Sequence, residues 1–345
     1  MSISKLLETH ENETLFSGAN AAVWHAHYLA SRRSRRRTRE EDHVATLVTD
    51  GIPFLTECWV PLLKPKQIGL RLSGVFCHGH PQVKFGSPSI QVELADLLVV
   101  HQHTQGKRAS ARAILLQAKM SADSTHLLPS SDAQLQLFSD WPPFEFVTGG
   151  LTPGIRNLNE SGRGSRYALI LDRPNFPEDI RWADQCPWAA SPATQRLTAN
   201  RSLARLLGEM LLGKEGRPFR LGTPKDDWSK TIQELLKVTG RKTYKRANIS
   251  RGDTPRLAGD SPVGPGVMVE MFSGPASSIA ASRSGASVHE RYFGSVPLIK
   301  GDGDGSDIAS DEQRGSSEGG ISTLLIETTE YDRDGALNAG RHSGV

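Results

Sequence analysis

Three polar side chains in the stretch DLLVVHQHTQGKRASARAILLQAK, residues 96–119, are of the kinds that handle a divalent cation and a phosphate. Asp96 opens one apolar run, and Gln117 and Lys119 close the next, with a short polar loop between them. Both runs are rich in β-formers and read as the arms of an antiparallel hairpin turning at Gly106–Lys107. That register sets Asp96 opposite Gln117, and directly opposed residues share a face with Cβ atoms ~4.5–5.5 Å apart. Lys119, two residues beyond Gln117, falls on the same face because side chains alternate along a strand. Leu97, Val99, Leu116 and Ala118 then point the other way, into the core. A carboxylate, an amide oxygen and an ammonium on one patch suit metal-assisted hydrolysis of a phosphodiester. Mg²⁺ wants hard oxygen ligands and draws one or two of them from the protein. It polarises a phosphoryl oxygen and acidifies a bound water, while the ammonium orients that water or offsets charge at the phosphorus. The plain alternative is that Asp96 caps a strand, Gln117 is a half-buried polar residue and Lys119 snorkels at the sheet edge.

The hairpin needs elements to hold it. Residues 18–33 read as a helix with Ala21, Ala22, Trp24, Tyr28 and Leu29 roughly on one face. An arginine run follows, and EEDHVATLV opens a second helix with acids in its first turn. Pro53 and Pro61 interrupt the next segment. From Gly69, the stretches GLRLSGVFCHGHPQVKF, VELADLLVVHQH and ARAILLQAKMS read as three consecutive strands, a meander with turns at GSPS and TQGKRAS. SDAQLQLFSDWPPF predicts a short helix ended by Pro142–Pro143, with Gln134 and the Trp141–Phe144 cluster packing on the lysine strand or offering a stacking surface. RYALIL (166–171) predicts a buried strand, and SLARLLGEMLL and DDWSKTIQELLKVTG predict two capped amphipathic helices. After about residue 252 the composition turns to Gly, Ser, Pro and Asp, which predicts disorder apart from a possible strand at ISTLLIE. The expected organisation is an N-terminal helical segment (1–62), a core (63–175), a helical extension of the same domain (176–250) and a tail (251–345). The fold class is α/β (α+β), a mixed sheet flanked by helices.

With its order of helix, three strands, helix and strand, and with ELADLLVV followed by AILLQAK, the region of about residues 40–175 resembles the PD-(D/E)xK nucleases. This is the superfamily of restriction endonucleases and Holliday-junction resolvases. The resemblance implies a restriction-endonuclease-like αβββαβ core, Mg²⁺ (or Mn²⁺) as cofactor, DNA as substrate, and a prokaryotic restriction or anti-phage setting. By it, Asp96 stands for the motif aspartate, Gln117 for the (D/E) and Lys119 for the lysine, with the Ala118 backbone carbonyl as a further metal ligand. Gln117 departs from the usual acid, and the Gln-x-Lys form is that of the Mrr-like branch. The change removes a negative charge that another acid would have to supply. Glu93 is the nearest acid; three residues from Asp96, it faces away in a regular strand and needs a bulge or a later strand start to join. Glu57, in FLTECWV, is the other, and His80 is a candidate for proton transfer or phosphate contact. One such site cuts one strand, so double-strand cleavage implies a homodimer or two successive events. The sequence carries no helicase or nucleotide-binding motif, so an ATPase, helicase or other defence-system subunit would be a separate polypeptide. Two further readings stay open: an inactive, DNA-binding or scaffolding subunit of the same fold, and an RNA-directed nuclease.

Charge points the same way. Residues 301–345 hold ten acids against three arginines, so a chain of net +3 has a body of +10 and a tail of −7. A basic body suits a polyanion, because each neutralised phosphate releases condensed counterions. The phosphate-contact candidates are Arg32, Arg33, Arg35, Arg36 and Arg37, and Arg241, Lys242, Lys245 and Arg246, with Tyr244 available to stack on a base. The acidic tail could compete with DNA for the basic face. No apolar run approaches the ~18–20 residues of a membrane span, no secretory signal is visible, and three scattered cysteines fit a reducing compartment. A cytoplasmic protein without membrane contact is the expectation.

Overall fold

A computed structural model describes residues 3–33, 37–77, 81–147, 150–159, 162–242, 244–246, 266–274, 287–296, 298–299 and 320–331. Helix α1 (Thr9–Arg33) is followed by α2 (Glu40–Thr49) and α3 (Gly51–Leu63). Strands β1 (Ile68–Phe76), β2 (Gln82–Phe85), β3 (Ile90–Glu93), β4 (Leu97–Gln105), β5 (Arg108–Ser121) and β6 (Thr125–Leu127) come next. Helix α4 (Ala133–Asp140) leads to β7 (Phe144–Phe146), β8 (Ser165–Leu171), β9 (Trp188–Ser191) and β10 (Arg196–Thr198). Then come α5 (Leu203–Leu211), β11 (Arg217–Phe219), α6 (Asp227–Thr239) and β12 (Tyr244–Arg246). The last described elements are β13 (Gly266–Ser273), α7 (Val288–Tyr292), β14 (Leu298–Ile299) and β15 (Ser322–Glu330). Among the described residues, no helix is long and apolar enough to cross a membrane.

The main sheet is mixed and runs β14-β12-β13-β1-β15-β4-β5-β8-β9, with β11 pairing the start of β5. Helices α1, α2, α3 and α5 cover one face; α4, α6, α7 and a small sheet β3-β2-β7 cover the other. In α1 the buried residues Leu15, Ala19, Ala22, Ala26 and Ala30 recur at helical spacing, and the small size of the four alanines lets α3 and α5 approach closely. A Cβ on Gly208 of α5 would lie 2.4 Å from the Phe16 ring. Where α2 crosses the sheet, a Cβ on Gly74 of β1 would meet the Val48 carbonyl oxygen at 1.7 Å. Side chains cap the helix starts: Asp132 accepts from the Leu135 amide, Ser202 from Arg205 and Asp226 from Ser229.

Three expectations change. The prolines do not interrupt α3, because Pro53 lies in its first turn, where the amide has no intrahelical partner to lose, and Pro61 is carried within the helix. The three-strand meander is not contiguous: β15 lies between β1 and β4, antiparallel to the first and parallel to the second. The GSPS turn instead closes the β2–β3 hairpin of the small sheet. Residues 251–345 are therefore not a tail appended to a finished domain, since they supply β13, α7, β14 and the central strand β15. Glu327 and Glu330, counted above as tail acids, are buried in that strand.

Candidate active site

The β4–β5 hairpin forms in the register that the sequence arithmetic gives, Leu97 opposite Leu116 through Gln105 opposite Arg108. Leu97, Val99, Leu116 and Ala118 pack under the α1–α3 and α5 layer, which sends Gln117 and Lys119 to the opposite face. Strand β4 starts only at Leu97, and β5 runs on past it to Ser121, so this stretch of β5 has an open edge. Along β5 the amide of Leu115 bonds toward β8, at the Gly164 carbonyl, while the Leu116 carbonyl accepts from Asp96 N–H on the β4 side. The peptide groups of Ala118 and Met120 thus face the open edge.

Two carboxylates fill it. Asp96 Oδ2 accepts from the Ala118 amide at 2.6 Å and from Gln117 Nε2. Glu40, in the first turn of α2, reaches across to accept from the Met120 amide at 3.2 Å. Amides two residues apart on a strand are ~6.7 Å apart, so both acids flank Lys119 within one small region. Lys119 Nζ donates to Gln134 Oε1 of α4 at 2.8 Å, which fixes the ammonium on the Gln117 face. The Ala118 carbonyl shares the open edge with its own amide.

The Gln117 amide is the informative group. Reversing it would set two oxygens together, so Nε2 faces Asp96 and Oε1 points elsewhere. Gln117 is 4% exposed, and its Oε1 has no hydrogen-bond partner among the described residues. Such a buried orphan costs about 1–3 kcal/mol. Tyr167, opposite Gln117 on β8 and fully buried, leaves its hydroxyl likewise unpartnered, and burial and then the charge of Asp132 push that phenol far up. A hard cation would satisfy Gln117 Oε1, and Asp96, Gln117 Oε1 and the Ala118 carbonyl are oxygen donors of the right type. No group of three or more His, Cys, Asp or Glu among the described residues is arranged for a metal ion. The donor set at the open edge of β5 instead joins one carboxylate to amide and carbonyl oxygens.

The other sequence candidates fall in different places. Glu93 ends β3, paired with Gln82, and Leu94–Asp96 lie outside any strand, so the alternation that turned Glu93 away from Asp96 does not apply across the break. Glu57 sits on the exposed face of α3, in the helix layer on the Ala118 side of the sheet, and does not join the site. Tyr244 cannot stack on a base: it is fully buried and its hydroxyl donates to the Thr239 carbonyl at 2.7 Å. Trp141 and Phe144 are buried too, the Trp141 indole donating to Ser165 Oγ. His80, Arg35 and Arg36 lie outside the described residues, as do the side chains of Lys245 and Arg246, whose backbone belongs to β12. Arg33 is committed to a two-pronged pair with Asp50 at 2.7 and 2.9 Å, while Arg32 is exposed.

Both basic runs nevertheless border the site end of the sheet. Arg37 pairs with Asp172, whose amide bonds the Ser121 carbonyl at the end of β5. Arg241 and Lys242 precede β12, and the pairings Tyr244–Gly266, Phe76–Val267, Val75–Thr323 and Ser322–Leu97 bring that start to the same end. Glu40 is what the sequence reading missed. The acids of EEDH read as helix-start residues, and nothing local says that one of them meets β5. A second polar constellation, Ser73 Oγ 3.0 Å from His289 Nδ1 and His289 Nε2 3.5 Å from Glu270 Oε1, has the order hydroxyl, base, acid. Ser73 is fully buried in mid-strand and closed to substrate, and the group fixes α7 to the sheet. Compared with known proteins, the chain matches no family model, no curated protein and no solved structure.

Proposed function

We propose that the chain is a metal-dependent endonuclease that hydrolyses DNA phosphodiester bonds on a restriction-endonuclease-like core. The observation that carries this reading is the Asp96–Gln117 contact at the open edge of β5, with a buried, unpartnered Gln117 oxygen and Lys119 on the same face. The surrounding order supports it: β5 continues through the short strand β6, helix α4 and the short strand β7 into β8, which pairs parallel to β5. The insertion of β15 beside β4 is a departure from a simple three-strand meander.

Mg²⁺ or Mn²⁺, when bound, would supply polarisation of the scissile phosphate and an acidified water. Asp96, Gln117 Oε1 and the Ala118 carbonyl would hold it. Glu40 restores the negative charge that a glutamine at position 117 takes away. Lys119, held by Gln134, orients the attacking water and offsets charge on the phosphoryl oxygens as the new P–O bond forms and the ester oxygen leaves. Arg37, Arg32, Arg241 and Lys242 carry the flanking phosphates, which makes binding fall steeply with salt.

Plasmid DNA incubated with the full chain and Mg²⁺ or Mn²⁺ tests this. Nicking is expected, with Lys119→Ala lowering its rate by about 10²–10³-fold and Glu57→Gln leaving it unchanged. A non-cutting, DNA-binding scaffold of the same fold is the second reading, favoured by the fact that Asp96 Oδ2 already holds two donors. Salt-sensitive DNA binding without metal-dependent nicking would establish that reading, and loss of RNA with intact plasmid would redirect the activity to RNA.

A further inference from the structure

Helix α1 presents Trp24, Tyr28 and Arg32 at four-residue spacing, hence on one face of its last turns. The Trp24 ring lies 5.6 Å from Tyr28 and 5.6 Å from Phe176, and the Arg32 guanidinium sits 5.9 Å over the Tyr28 ring. Tyr28 is 41% exposed and Phe176 42%, whereas Trp59, Trp141, Trp182, Trp188 and Trp228 are all buried. Three aromatic rings grouped at the surface with a cation at their edge form the kind of apolar, polar-rimmed patch that marks a binding surface.

The patch is anchored to the candidate active site. The segment carrying Phe176 leaves β8 at Leu171, and the Asp172 amide bonds the Ser121 carbonyl two residues past Lys119. His27 Nε2–H donates to the Arg173 carbonyl at 2.5 Å and pins the segment to α1. Arg37 pairs with Asp172 from the other side. Arg32, Arg37, Arg39 and Arg173 are exposed; of the acids of the same segment, Asp172 and Asp179 are paired, with Arg37 and Arg181, and Glu178 is exposed, while Arg39 pairs with Glu41.

We propose that Trp24, Tyr28 and Phe176, with Arg32 at their rim, form a stacking platform for unpaired nucleobases, so that the substrate is DNA with a single-stranded segment leading into the site at Asp96 and Lys119. The inference rests on the nuclease reading, from which it takes the ligand class. A duplex hides the faces of its bases, whereas an unpaired base exposes them. Aromatic stacking accepts any base, and neighbouring arginines hold the backbone phosphates. The basic surround favours this occupant over an acid-poor protein surface or a neutral apolar one.

The test is anisotropy of a fluorescein-labelled oligothymidylate and of a blunt labelled duplex, each titrated with the full chain in EDTA. Tyr28→Ala and Phe176→Ala are each expected to weaken oligothymidylate binding about 5- to 150-fold, with duplex affinity unchanged and Tyr28→Phe close to wild type. Emission of Trp24, the one tryptophan outside the core among the described residues, should be quenched by oligothymidylate. Because both substituted residues are exposed, the melting temperature should not move. Alanine variants that bind oligothymidylate like wild type would overturn the platform and leave the patch to a protein partner; equal losses on both probes would overturn it as well. Binding in EDTA requires no cleavage, so failure here leaves the Lys119 nicking test standing, and absence of nicking leaves strand discrimination standing.

Discussion

At the scale of single residues, the Gln117 carboxamide sets the balance of the candidate site. Its Nε2 donates to Asp96, while its buried oxygen has no hydrogen-bond partner among the described residues. Gln117→Glu would exchange that donor for an oxygen and press two carboxylates together, so one of them must keep a proton until a cation arrives. The variant is expected to melt below wild type in EDTA and to gain more than wild type on adding Mg²⁺, read as the shift of melting temperature in each buffer. Equal Mg²⁺ shifts for the two proteins would show that no cation binds at this amide. The contact itself was legible, because hairpin register and strand alternation alone place Asp96 against Gln117. Glu40 was not, since its approach to Met120 depends on how α2 crosses the sheet. Tyr244 misled for the opposite reason: a tyrosine set among lysines and arginines reads as surface, yet as the first residue of β12 it is fully buried, its hydroxyl tied to the end of α6.

At the scale of elements, β15 shows how far local pattern reaches. ISTLLIETTE is apolar or uncharged at nearly every position, and a strand buried on both faces reads as such a run rather than an alternation. Its existence could be read, but its place between β1 and β4 could not, because strand neighbours far apart in sequence are chosen by packing and by the cost of closing the loop. The short strands β2, β3 and β7 escaped for a related reason: they form their own sheet under α4 and the aromatic cluster instead of extending the main one. Leu324 and Ile326 are buried, both on the face packed by α1–α3 and α5. Leu324→Ala or Ile326→Ala should cost about 2–5 kcal/mol in urea unfolding. Ending the chain after residue 255 removes β13 and β15 together and should abolish cooperative unfolding, so that truncation cannot test whether the acidic tail competes with DNA. Ending it after Tyr331 keeps both strands and should leave the transition intact, but it removes two acids together with two arginines and so does not test the acidic tail either. A cooperative transition in the longer deletion would mean that β15 is dispensable to the sheet.

At the scale of the whole molecule, several histidines are held neutral inside the fold, and this sets its tolerance of acid. Burial, reinforced by the neighbouring His27, pushes His43 down to about 3. Burial, with His103 and Arg112 nearby, does the same to His101, also to about 3, and burial with Arg71 brings His289 to about 4. In the unfolded chain each would titrate near 6.5. Above that value both states are uncharged at these positions and nothing is lost. Below it the unfolded chain takes up protons that the folded one refuses, so stability falls as pH drops from about 6.5 toward 4. Three such groups together lower it by about 4 kcal/mol per pH unit in the middle of that window. Glu327 works against them: burial raises its carboxyl above the ordinary range, so it keeps its proton as the unfolded glutamate gives its own up, and it offsets part of the loss at the acid end. A domain of ordinary stability, about 5–15 kcal/mol, should then unfold between about pH 5 and pH 3. Urea midpoints measured from neutral pH downward should fall steeply below pH 6, and His101→Gln, which cannot take up that proton, should make the slope shallower by about one part in three. A midpoint that stays level from pH 7 to pH 5 would mean these imidazoles reach water in the native protein, and the packing around Thr328 and α7 would need to be drawn again.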